Sequence, residues 1–545
     1  MTKDHGPCQS QTLSALLAVK GRRLVARRFS STSRSMATVE SHWEEFYLGS
    51  RRFQFIADGL GMPIDQVNFV FGQLMALLLA YIFRVYLHPS HVSATTRHWG
   101  SLLAGLGISY FCFGKQVLLA LALVVGCYLL MLLLPITLLH HVTLAASITF
   151  LSVMHIQRQL YEDGVFVIDV TGPMMIMVQK ATSLAYSLHD GLSGLKDEEL
   201  TPLQKEMVVR KKPTALEYFG YMLNFHSVLA GPYFMFADYQ DFVEGTHYAK
   251  RALQTPVPAS SLDSNRNKSP SESKLTDSKL RTRLEDEPNP VPVAMYKALV
   301  SAGNAFVTVY LLPKFPISFI TDPKFFQLSF LSKTFYIVAV TSLTRHVYYT
   351  GWMLGDSICN MSGMGFNGYN ADGTAKWNLV SNVDILGVEF GLSLRDTLEA
   401  WNSGTMKWLR FMVYERAPTQ KTLFTYMLSS IWHGFYPGYY ITFVSGAFFT
   451  IAARNVRRSV RPHIVSKGPM AQKLYDVFTC VVTRFCLAYF TFPFILLRFW
   501  GSIAVYRDML FFQFVLGALA IILLPVVLPP KSRSSKNTKE HLKSQ

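Results

Sequence analysis

Apolar residues occur in long runs along this chain, and most runs approach the roughly 20 residues that a membrane-crossing helix requires. The clearest apolar segments are 66–86, 101–113, 116–139, 142–157, 214–235, 294–320, 327–345, 423–452, 471–499 and 505–529. The short segments 101–113 and 142–157 leave a tilted or re-entrant arrangement open, whereas 423–452 and 471–499 are long enough for tilt or a bend. The pattern predicts an all-α fold, a polytopic integral membrane helical bundle of about ten to twelve helices.

One further apolar segment, residues 170–188, carries signals that break a helix. Gly172 and Pro173 interrupt it near its start, and Lys180 places a charge at its centre. Backbone that leaves the helical conformation at membrane depth is tolerated only where protein or water covers it. We therefore predict a broken helix that lines the interior of the bundle.

Residues 354–422 are too polar to span a membrane but too rich in Trp, Tyr, Phe and Gly for a linker. Within them, residues 399–417 read EAWNSGTMKWLRFMVYERA, in which Lys and Arg alternate with apolar positions near helical spacing. This spacing predicts one amphipathic helix that lies at the membrane interface or packs against the bundle. Its apolar positions are Trp401, Met406, Trp408, Leu409, Met412 and Val413.

Composition also indicates a membrane protein, because 50% of the 545 residues are hydrophobic and only 16% are charged, against roughly 25% charged in average soluble domains. The net charge of +17 indicates basic cytosolic loops that face anionic headgroups. Nucleic acid is not an expected partner, since no compact basic domain is visible. Basic residues concentrate in 454–468 and after Pro530. An even number of crossings separates these two stretches, so the positive-inside rule puts both on the cytosolic side.

Polar stretches divide the chain into a membrane domain, residues 61–530, and two tails. We predict that residues 1–60 are a basic, disordered tail, that 531–545 are a basic cytosolic tail, and that the Ser- and charge-rich stretch 254–292 is a disordered loop. Residues 20–36 are rich in Arg and Ser and lack acidic residues, which is also typical of a mitochondrial transit peptide. We favour the basic tail, because mitochondrial import of so many spans is uncommon.

Several standard catalytic patterns are missing from the sequence. It contains no GxxxxGK(S/T) phosphate loop, HExxH zinc pair or GxSxG nucleophile elbow. No histidine is followed five positions later by aspartate, and no DHHC run occurs. The six cysteines show no CxxC spacing and indicate neither a zinc site nor a disulfide framework. Metal, nucleotide and covalent-serine chemistry are therefore disfavoured.

The candidate for chemistry is a histidine in an apolar run. Six histidines have apolar surroundings: His140, His141, His155, His226, His346 and His433. In such surroundings a histidine is more often a core residue with satisfied hydrogen bonds than a catalyst. His433 stands apart because Trp432 and the aromatic residues of 435–440 enclose it, and Pro437-Gly438 is expected to break the helix beyond it. An ionisable residue at membrane depth is by default a functional hypothesis.

Three motifs carry a family resemblance: WHGFYPGYY at 432–440, WNSGTMKWL at 401–409 and GFNGYNADGTAKWNLVSN at 365–382. Together they resemble the membrane-bound O-acyltransferase family, and within it the lysophospholipid acyltransferases, particularly the lysophosphatidylethanolamine and lysophosphatidylserine branch. The similarity covers nearly the whole chain after about residue 60. It extends to PIDQVNFVFGQL at 63–74, TGPMMIMVQKATSLAYSLHDG at 171–191 and NFHSVLAGPYFMFADYQDFVEG at 224–245.

The resemblance implies that His433 and Asn402 form the catalytic pair. From the residues alone, a helix N-cap after Trp401 is the favoured interpretation of Asn402. The family's RxKYYxxW motif appears here as RHVYYTGW at 345–352, with Val347 at the position of the lysine. Substrate contacts are predicted for Trp401, Thr405, Trp432, Tyr348, Tyr349 and Asn367.

The implied reaction transfers a fatty acyl chain from acyl-CoA to the free hydroxyl, mostly sn-2, of lysophosphatidylethanolamine, lysophosphatidylserine or lysophosphatidylcholine. We expect no cofactor and no metal, because a thioester is already activated. The expected partners are acyl-CoA, a lysophospholipid and membrane lipids, and the expected location is the endoplasmic reticulum membrane. An interior reaction chamber, with a cytosolic mouth for CoA and a lateral opening for the lipid, would serve both substrates.

Three alternatives stay open at this point. A member of the same family could acylate a protein or a sterol, and a non-catalytic membrane scaffold would share the hydrophobicity. A polytopic transporter would show paired charges across spans or half-helices in two repeats, and neither is visible. The oligomeric state is open.

Overall fold

A computed structural model describes residues 47–162, 167–253 and 287–529. Apart from one antiparallel bridge between Tyr369 and Ala375, these ranges contain helices, turns and irregular segments and no strand. The predicted all-α fold is confirmed. Most of the two predicted tails and of the predicted loop at 254–292 lies outside the described residues.

Eleven α-helices precede residue 311 in the described ranges. They are α1 (Gln54–Leu60), α2 (Ile64–Tyr86), α3 (Ala94–Phe113), α4 (Val117–Leu133), α5 (Ile136–Glu162), α6 (Thr171–Leu192), α7 (Pro202–Met207), α8 (Ala215–Met222), α9 (Phe236–Glu244), α10 (His247–Leu253) and α11 (Val291–Tyr310). Helix α1 falls inside the segment that we assigned to the N-terminal tail.

Eleven more α-helices follow in the C-terminal half. They are α12 (Pro323–Phe326), α13 (Phe330–Met361), α14 (Ile385–Phe390), α15 (Leu394–Ala400), α16 (Ser403–Leu409), α17 (Lys421–His433), α18 (Pro437–Val465), α19 (Pro469–Leu496), α20 (Phe499–Asp508), α21 (Phe512–Ile522) and α22 (Leu524–Val527). The basic stretch at 454–468 therefore belongs largely to the end of α18.

Five helical stretches of the described chain are long and apolar enough to cross a membrane, or six if a pair bent by 77° counts as one span. The stretches are Ile64–Tyr86, Ala94–Leu133, Ile136–Leu160, Val291–Thr321 and Pro469–Leu496, and the bent pair is Phe499–Asp508 with Phe512–Val527. The protein is a multi-pass membrane protein, as the apolar pattern predicts.

The broken helix predicted at 170–188 is wrong, because α6 runs without interruption from Thr171 to Leu192. Gly172 and Pro173 fall in its first turn, where the backbone N–H groups have no intrahelical partner and proline costs little. Most residues of α6 are buried, on every side of the helix. A helix that is apolar or buried all round lies inside a bundle, so α6 is an interior scaffold.

The predicted span at 214–235 is also wrong. Helix α8 ends at Met222, and residues 223–235 continue as buried irregular backbone. Buried backbone carbonyls need hydrogen-bond partners. Lys180 of α6 supplies one, since its ammonium donates to the Tyr221 oxygen (2.9 Å) and to the Ser227 hydroxyl (2.6 Å). Lys180 therefore stabilises an irregular segment and does not break its own helix.

The single amphipathic helix predicted at 399–417 is wrong as well, and the break predicted after His433 is confirmed. Helix α15 ends at Ala400 and α16 begins at Ser403, because Asn402 adopts a left-handed conformation (φ 48°, ψ 50°). Helix α17 ends at His433, and α18 starts at Pro437. Both motif residues thus lie at helix ends.

Candidate active site

His433 is the last residue of α17, and the chain turns away directly after it. Gly434 has φ 116° and ψ −164°, a combination that side chains disfavour and glycine accepts. Its N–H caps the helix through the Ser430 and Ile431 oxygens. Pro437 then starts α18 at the first helical position, where its fixed φ suits a helix start.

Four aromatic rings surround the His433 imidazole. It stacks on Phe443 with ring centroids 5.2 Å apart, and it meets Phe494 edge-on at 5.2 Å. Trp432 lies at 4.7 Å and Tyr439 at 5.9 Å. Rings from α18 and α19 thus fix the orientation of the imidazole without using its nitrogens.

Within the described ranges, the His433 nitrogens have no hydrogen-bond partner, and the residue is half-buried. Buried polar atoms are normally paired. An accessible imidazole edge inside an aromatic enclosure therefore faces a space that a substrate or water can occupy. This arrangement differs from that of a core histidine with satisfied hydrogen bonds.

A second histidine, His155 of α5, packs against the turn at the end of α17. Its Nε2 lies 3.1 Å from the backbone oxygen of Trp432. A carbonyl only accepts, so Nε2 carries the proton and donates. The His155 ring also lies directly behind Gly434, because a Cβ added there would approach its ring atoms to 3.2–3.4 Å. His155 therefore fixes the backbone on both sides of His433.

Replacing Gly434 with alanine is expected to lower kcat by about 10–100-fold, because displacement of catalytic groups by about 1 Å costs rates of this order. The new Cβ meets the His155 ring and the backbone has φ 116°, so the end of α17 must shift. Gly303→Ala is the matched control, since nothing lies within 4 Å of a Cβ there. A wild-type kcat in purified G434A protein would contradict the expectation that the position of His433 at the end of α17 determines turnover.

Asn402 occupies the N-cap position of α16 but does not cap it. Its side chain makes no capping hydrogen bond, and no other partner for the amide occurs in the described part of the chain. The left-handed backbone is one that asparagine tolerates better than most residues. The simple N-cap interpretation of Asn402 is therefore not what the structure shows, and its amide is free to meet a ligand.

The backbone after Asn402 is tied to residues 381–382. The Ser403 N–H donates to the Asn382 oxygen (2.9 Å) and its hydroxyl donates to the Ser381 oxygen (2.7 Å). The Gly404 N–H donates to the Asn382 side-chain oxygen (3.1 Å). These bonds replace those of a continuous helix and hold Asn402 in its unusual conformation.

One face of α6 joins the two motifs. Met175, Gln179 and Thr182 are spaced i, i+4 and i+7, so they lie on the same side of the helix. The Met175 oxygen accepts from the Trp432 indole (3.0 Å), and the Gln179 amide donates to the Thr405 hydroxyl (2.9 Å). The Thr182 hydroxyl accepts from a second indole, that of Trp408 in α16 (3.0 Å).

The two indoles also touch each other. Trp408 and Trp432 have ring centroids 5.8 Å apart. Because Trp408 belongs to the helix that starts after Asn402 and Trp432 precedes His433, this contact packs α16 against the end of α17. The α6 contacts and this indole contact therefore bring α16 and the end of α17 together.

Trp401 belongs to an aromatic group that lies on the other side of Asn402. Its ring packs on Trp352 (4.8 Å), Tyr348 (5.6 Å) and Tyr349 (5.9 Å). The predicted residues Trp401, Tyr348 and Tyr349 thus form one aromatic group next to Asn402.

An ion pair anchors this aromatic group. Arg345 donates twice to Glu389 (2.8 and 2.6 Å), and the Tyr349 hydroxyl donates to the same carboxylate (2.7 Å). Burial by itself would raise the pKa of Glu389. The hydrogen bonds and charge of Arg345, together with the Tyr349 hydroxyl, outweigh burial and lower it. Glu389 therefore stays ionised near neutral pH and keeps Tyr349 against Trp401.

The polar side-chain groups of three other residues predicted to contact substrate are already hydrogen-bonded within the protein. The Thr405 hydroxyl and the Trp432 indole N–H are already hydrogen-bonded to α6. Asn367 donates to the Asn378 side chain (3.0 Å) inside a short hairpin. That hairpin begins with GMGFNG, which fits the letters of GxGxxG, but it follows helix α13 and does not join a strand to a helix as a dinucleotide-binding loop does.

Sequence reasoning missed the α6 contacts and His155. Gln179 and Thr182 are polar residues at helical spacing within an apolar segment, which was a usable signal for an interior face. Met175 acts only through its backbone oxygen, and nothing in its side chain indicates that role. Among the described side chains, no group of three or more His, Cys, Asp or Glu residues is placed to hold a metal ion.

An open apolar groove of about 770 Å³ runs along α5. It ends at Met154, next to the His155 that contacts the site. Its lining residues are His141, Val142, Ala145, Ala146, Thr149, Phe150, Val153 and Met154.

Comparison with known proteins gives consistent matches along the chain. The sequence pattern of MBOAT, the membrane-bound O-acyltransferase family, matches residues 118–492. Lysophospholipid acyltransferase 6 of Drosophila melanogaster is 41% identical over 481 residues, which are 88% of this chain but only 64% of the fly protein. Membrane-bound glycerophospholipid O-acyltransferase 1 of Mus musculus is 36% identical, over 90% of this chain and 95% of the mouse protein. Lysophospholipid acyltransferase of Schizosaccharomyces pombe is 31% identical, over 90% of this chain and 93% of the yeast protein.

Proposed function

Because this chain belongs to the membrane-bound O-acyltransferase family, we propose that it transfers a fatty acyl group from acyl-CoA to the free hydroxyl of a lysophospholipid. The relatives named above are lysophospholipid and glycerophospholipid O-acyltransferases. The acceptors that we propose are lysophosphatidylethanolamine, lysophosphatidylserine and lysophosphatidylcholine, mostly at sn-2. The endoplasmic reticulum membrane is the proposed location.

His433 is the proposed general base. Its neutral imidazole takes the proton of the glycerol hydroxyl as the hydroxyl oxygen attacks the thioester carbonyl, a contribution of roughly 10²–10⁴-fold. The tetrahedral intermediate then collapses, the C–S bond breaks, and the imidazolium returns the proton to the CoA sulfur. The ester and free CoA leave, and His433 is again neutral.

Asn402 is the proposed partner of the reacting oxygen atoms. Its amide N–H₂ would donate to the oxyanion that forms on the thioester carbonyl, where one such donor contributes about 2.7–4 kcal/mol. Orientation of the acceptor hydroxyl is a second use of the same amide. Either role needs an amide that is not already occupied, and the unpaired Asn402 side chain supports this.

The single observation that carries the proposal is the common anchoring of both motifs on α6. Hydrogen bonds with the Met175 oxygen, the Gln179 amide and the Thr182 hydroxyl hold Trp432 and α16, and so fix the residues next to His433 and Asn402. Catalytic groups require this kind of rigid support, because rates fall steeply with misplacement. A scaffold or transporter gives no reason to leave both side chains unpaired.

The surroundings suit two amphiphilic substrates. The open apolar groove along α5 is lined as far as Met154, the residue before His155, and it supports the proposed lateral entry of a lipid chain. Two cations lie nearby: the half-buried Lys407 in α16, and the exposed Arg410 in the π-helical turn that follows it. They are available to the CoA phosphates, although they also pair with Glu206 and Glu415.

Purified protein in lipid nanodiscs, given labelled oleoyl-CoA and each of the three lysophospholipids, tests the proposal. We expect labelled diacyl phospholipid with at least one acceptor and none with a sterol or a protein acceptor. Exclusive acylation of a sterol or a protein would instead favour another branch of the family. No acyl transfer to any acceptor would refute the proposal.

A further inference from the structure

A buried ion pair lies beside the Asn402 segment and takes no part in the proposed chemistry. Lys297 of α11 and Asp356 of α13 approach to 2.7 Å, with side-chain exposures of 12% and 2%. Removing two charges from water is costly unless their other hydrogen-bonding positions are also used. The remaining contacts of this pair therefore indicate what it supports.

The remaining contacts of the pair are to the segment that precedes Asn402. The Lys297 ammonium also donates to the Trp377 oxygen (2.8 Å) and to the Ser381 hydroxyl (3.2 Å). The Ser381 hydroxyl in turn donates to the same Asp356 oxygen that Lys297 contacts (2.6 Å). The other Asp356 oxygen has no partner among the described residues. Both side-chain hydrogen bonds of Asp356 therefore use the one oxygen that Lys297 and Ser381 share.

From Ser381, the connection to Asn402 needs one more step. The backbone oxygen of Ser381 accepts the Ser403 hydroxyl, and Asn382 accepts the N–H groups of Ser403 and Gly404. Both residues after Asn402 are therefore attached to a segment whose own position depends on Lys297 and Asp356. A left-handed, non-glycine residue persists only where its surroundings over-determine it.

We propose that Ser381, held by the Lys297–Asp356 ion pair, is a positioning residue that sets the orientation of the Asn402 amide. The proposal rests on the catalytic role given to Asn402 above. Ser381 touches no reacting atom in this scheme. Its hydroxyl anchors residues 381–382, and these anchor the backbone from which the Asn402 side chain projects.

The test compares Ser381→Ala with Ser381→Thr in purified protein. S381A removes the anchoring hydroxyl, so we expect kcat to fall on the order of 10–100-fold, with both KM values within about twofold of wild type. S381T restores a hydroxyl and should return kcat to within about threefold of wild type. The KM values matter because a general loss of structure would change substrate binding as well as turnover.

Ser357→Ala is the matched control. Ser357 follows Asp356 on α13, and its buried hydroxyl donates to the Ala294 oxygen of α11 (2.7 Å). It joins the same two helices, and its hydroxyl makes no hydrogen bond to residues 381–404 in the described chain, so S357A should keep the wild-type kcat. An equal loss in S357A and S381A would overturn the proposal, because helix packing alone would then explain both.

Two further outcomes separate this inference from the proposed function. If Asn402→Ala abolishes turnover while S381A is as active as wild type, Asn402 acts but Ser381 does not position it. If N402A itself is fully active, the catalytic assignment of Asn402 fails first. A fall in kcat for S381A that S381T does not restore would also contradict a role for the hydroxyl.

Discussion

Replacing His433 with alanine is expected to lower kcat by roughly 10²–10⁴-fold, the usual contribution of a general base. The rings of the aromatic enclosure also pack on one another without the imidazole, Tyr439 on Phe494 (4.6 Å) and Phe443 on Phe494 (6.2 Å). The variant should therefore fold, and the loss should appear in turnover and not in protein yield. Measurement needs purified H433A in nanodiscs, with labelled acyl-CoA and the acceptor that wild type prefers.

His98→Gln provides the matched control for this experiment. His98 is buried in α3 with its Nδ1 3.2 Å from the Tyr239 hydroxyl, so it is a core histidine with one hydrogen-bonded ring nitrogen, and its Nε2 has no partner among the described residues. We expect H98Q to lose some thermal stability and to keep the wild-type kcat per folded molecule. If H433A behaved like H98Q, His433 would be a core residue and the proposed mechanism would be wrong.

Replacing Asn402 has the second largest expected effect. Asn402→Asp keeps the shape of the side chain and its tolerance of the left-handed backbone, but it replaces an amide donor with a carboxylate. Because loss of one oxyanion donor costs about 10²–10³-fold in kcat, N402D should lose at least that much. Asn402→Gly relaxes the backbone and also removes the amide, so it should be as inactive as N402D but well folded.

Gln420→Ala controls for the local geometry of Asn402. Gln420 also occupies the N-cap position of a helix with a left-handed backbone (φ 49°) and makes no capping hydrogen bond. It directly precedes α17, the helix that ends at His433, so a general disturbance of that helix in Q420A would also lower the measured activity. We expect Q420A to be active. Activity in N402D or N402G close to that of wild type would show that residue 402 has only a backbone role.

These variants separate chemistry from support because the two depend on different atoms. Among the described residues, His433 and Asn402 have side-chain polar atoms without a hydrogen-bond partner, whereas Thr405 and Trp432 use theirs to bind α6. Substitution of Thr405 or Trp432 would therefore move the catalytic residues without removing a reacting group. The two sequence motifs contain all four residues, and they do not distinguish residues proposed for catalysis from residues that support them.

The sequence by itself determined the all-α fold class and most of the apolar spans, and its family motifs indicated the two residues proposed for catalysis. Long apolar runs can be buried only in lipid or in the protein interior, and their helical form satisfies the backbone there. The helix end after His433 was also predictable, since glycine and proline act through their own backbone restrictions. Each of these features depends on residues that are neighbours in the chain.

Only the tertiary structure decided where α16 begins, why α6 is continuous and which polar groups stay free. The amphipathic pattern of 399–417 runs through Asn402 without a gap, and the break arises because Ser403 and Gly404 bond to residues 381–382. In the same way, Lys180 finds one partner in the last turn of α8, the Tyr221 oxygen, and the other in the irregular segment that follows, the Ser227 hydroxyl. Hydrogen bonds between distant segments override local helical preference when the backbone groups are buried, because a buried group without a partner costs more than a broken helix.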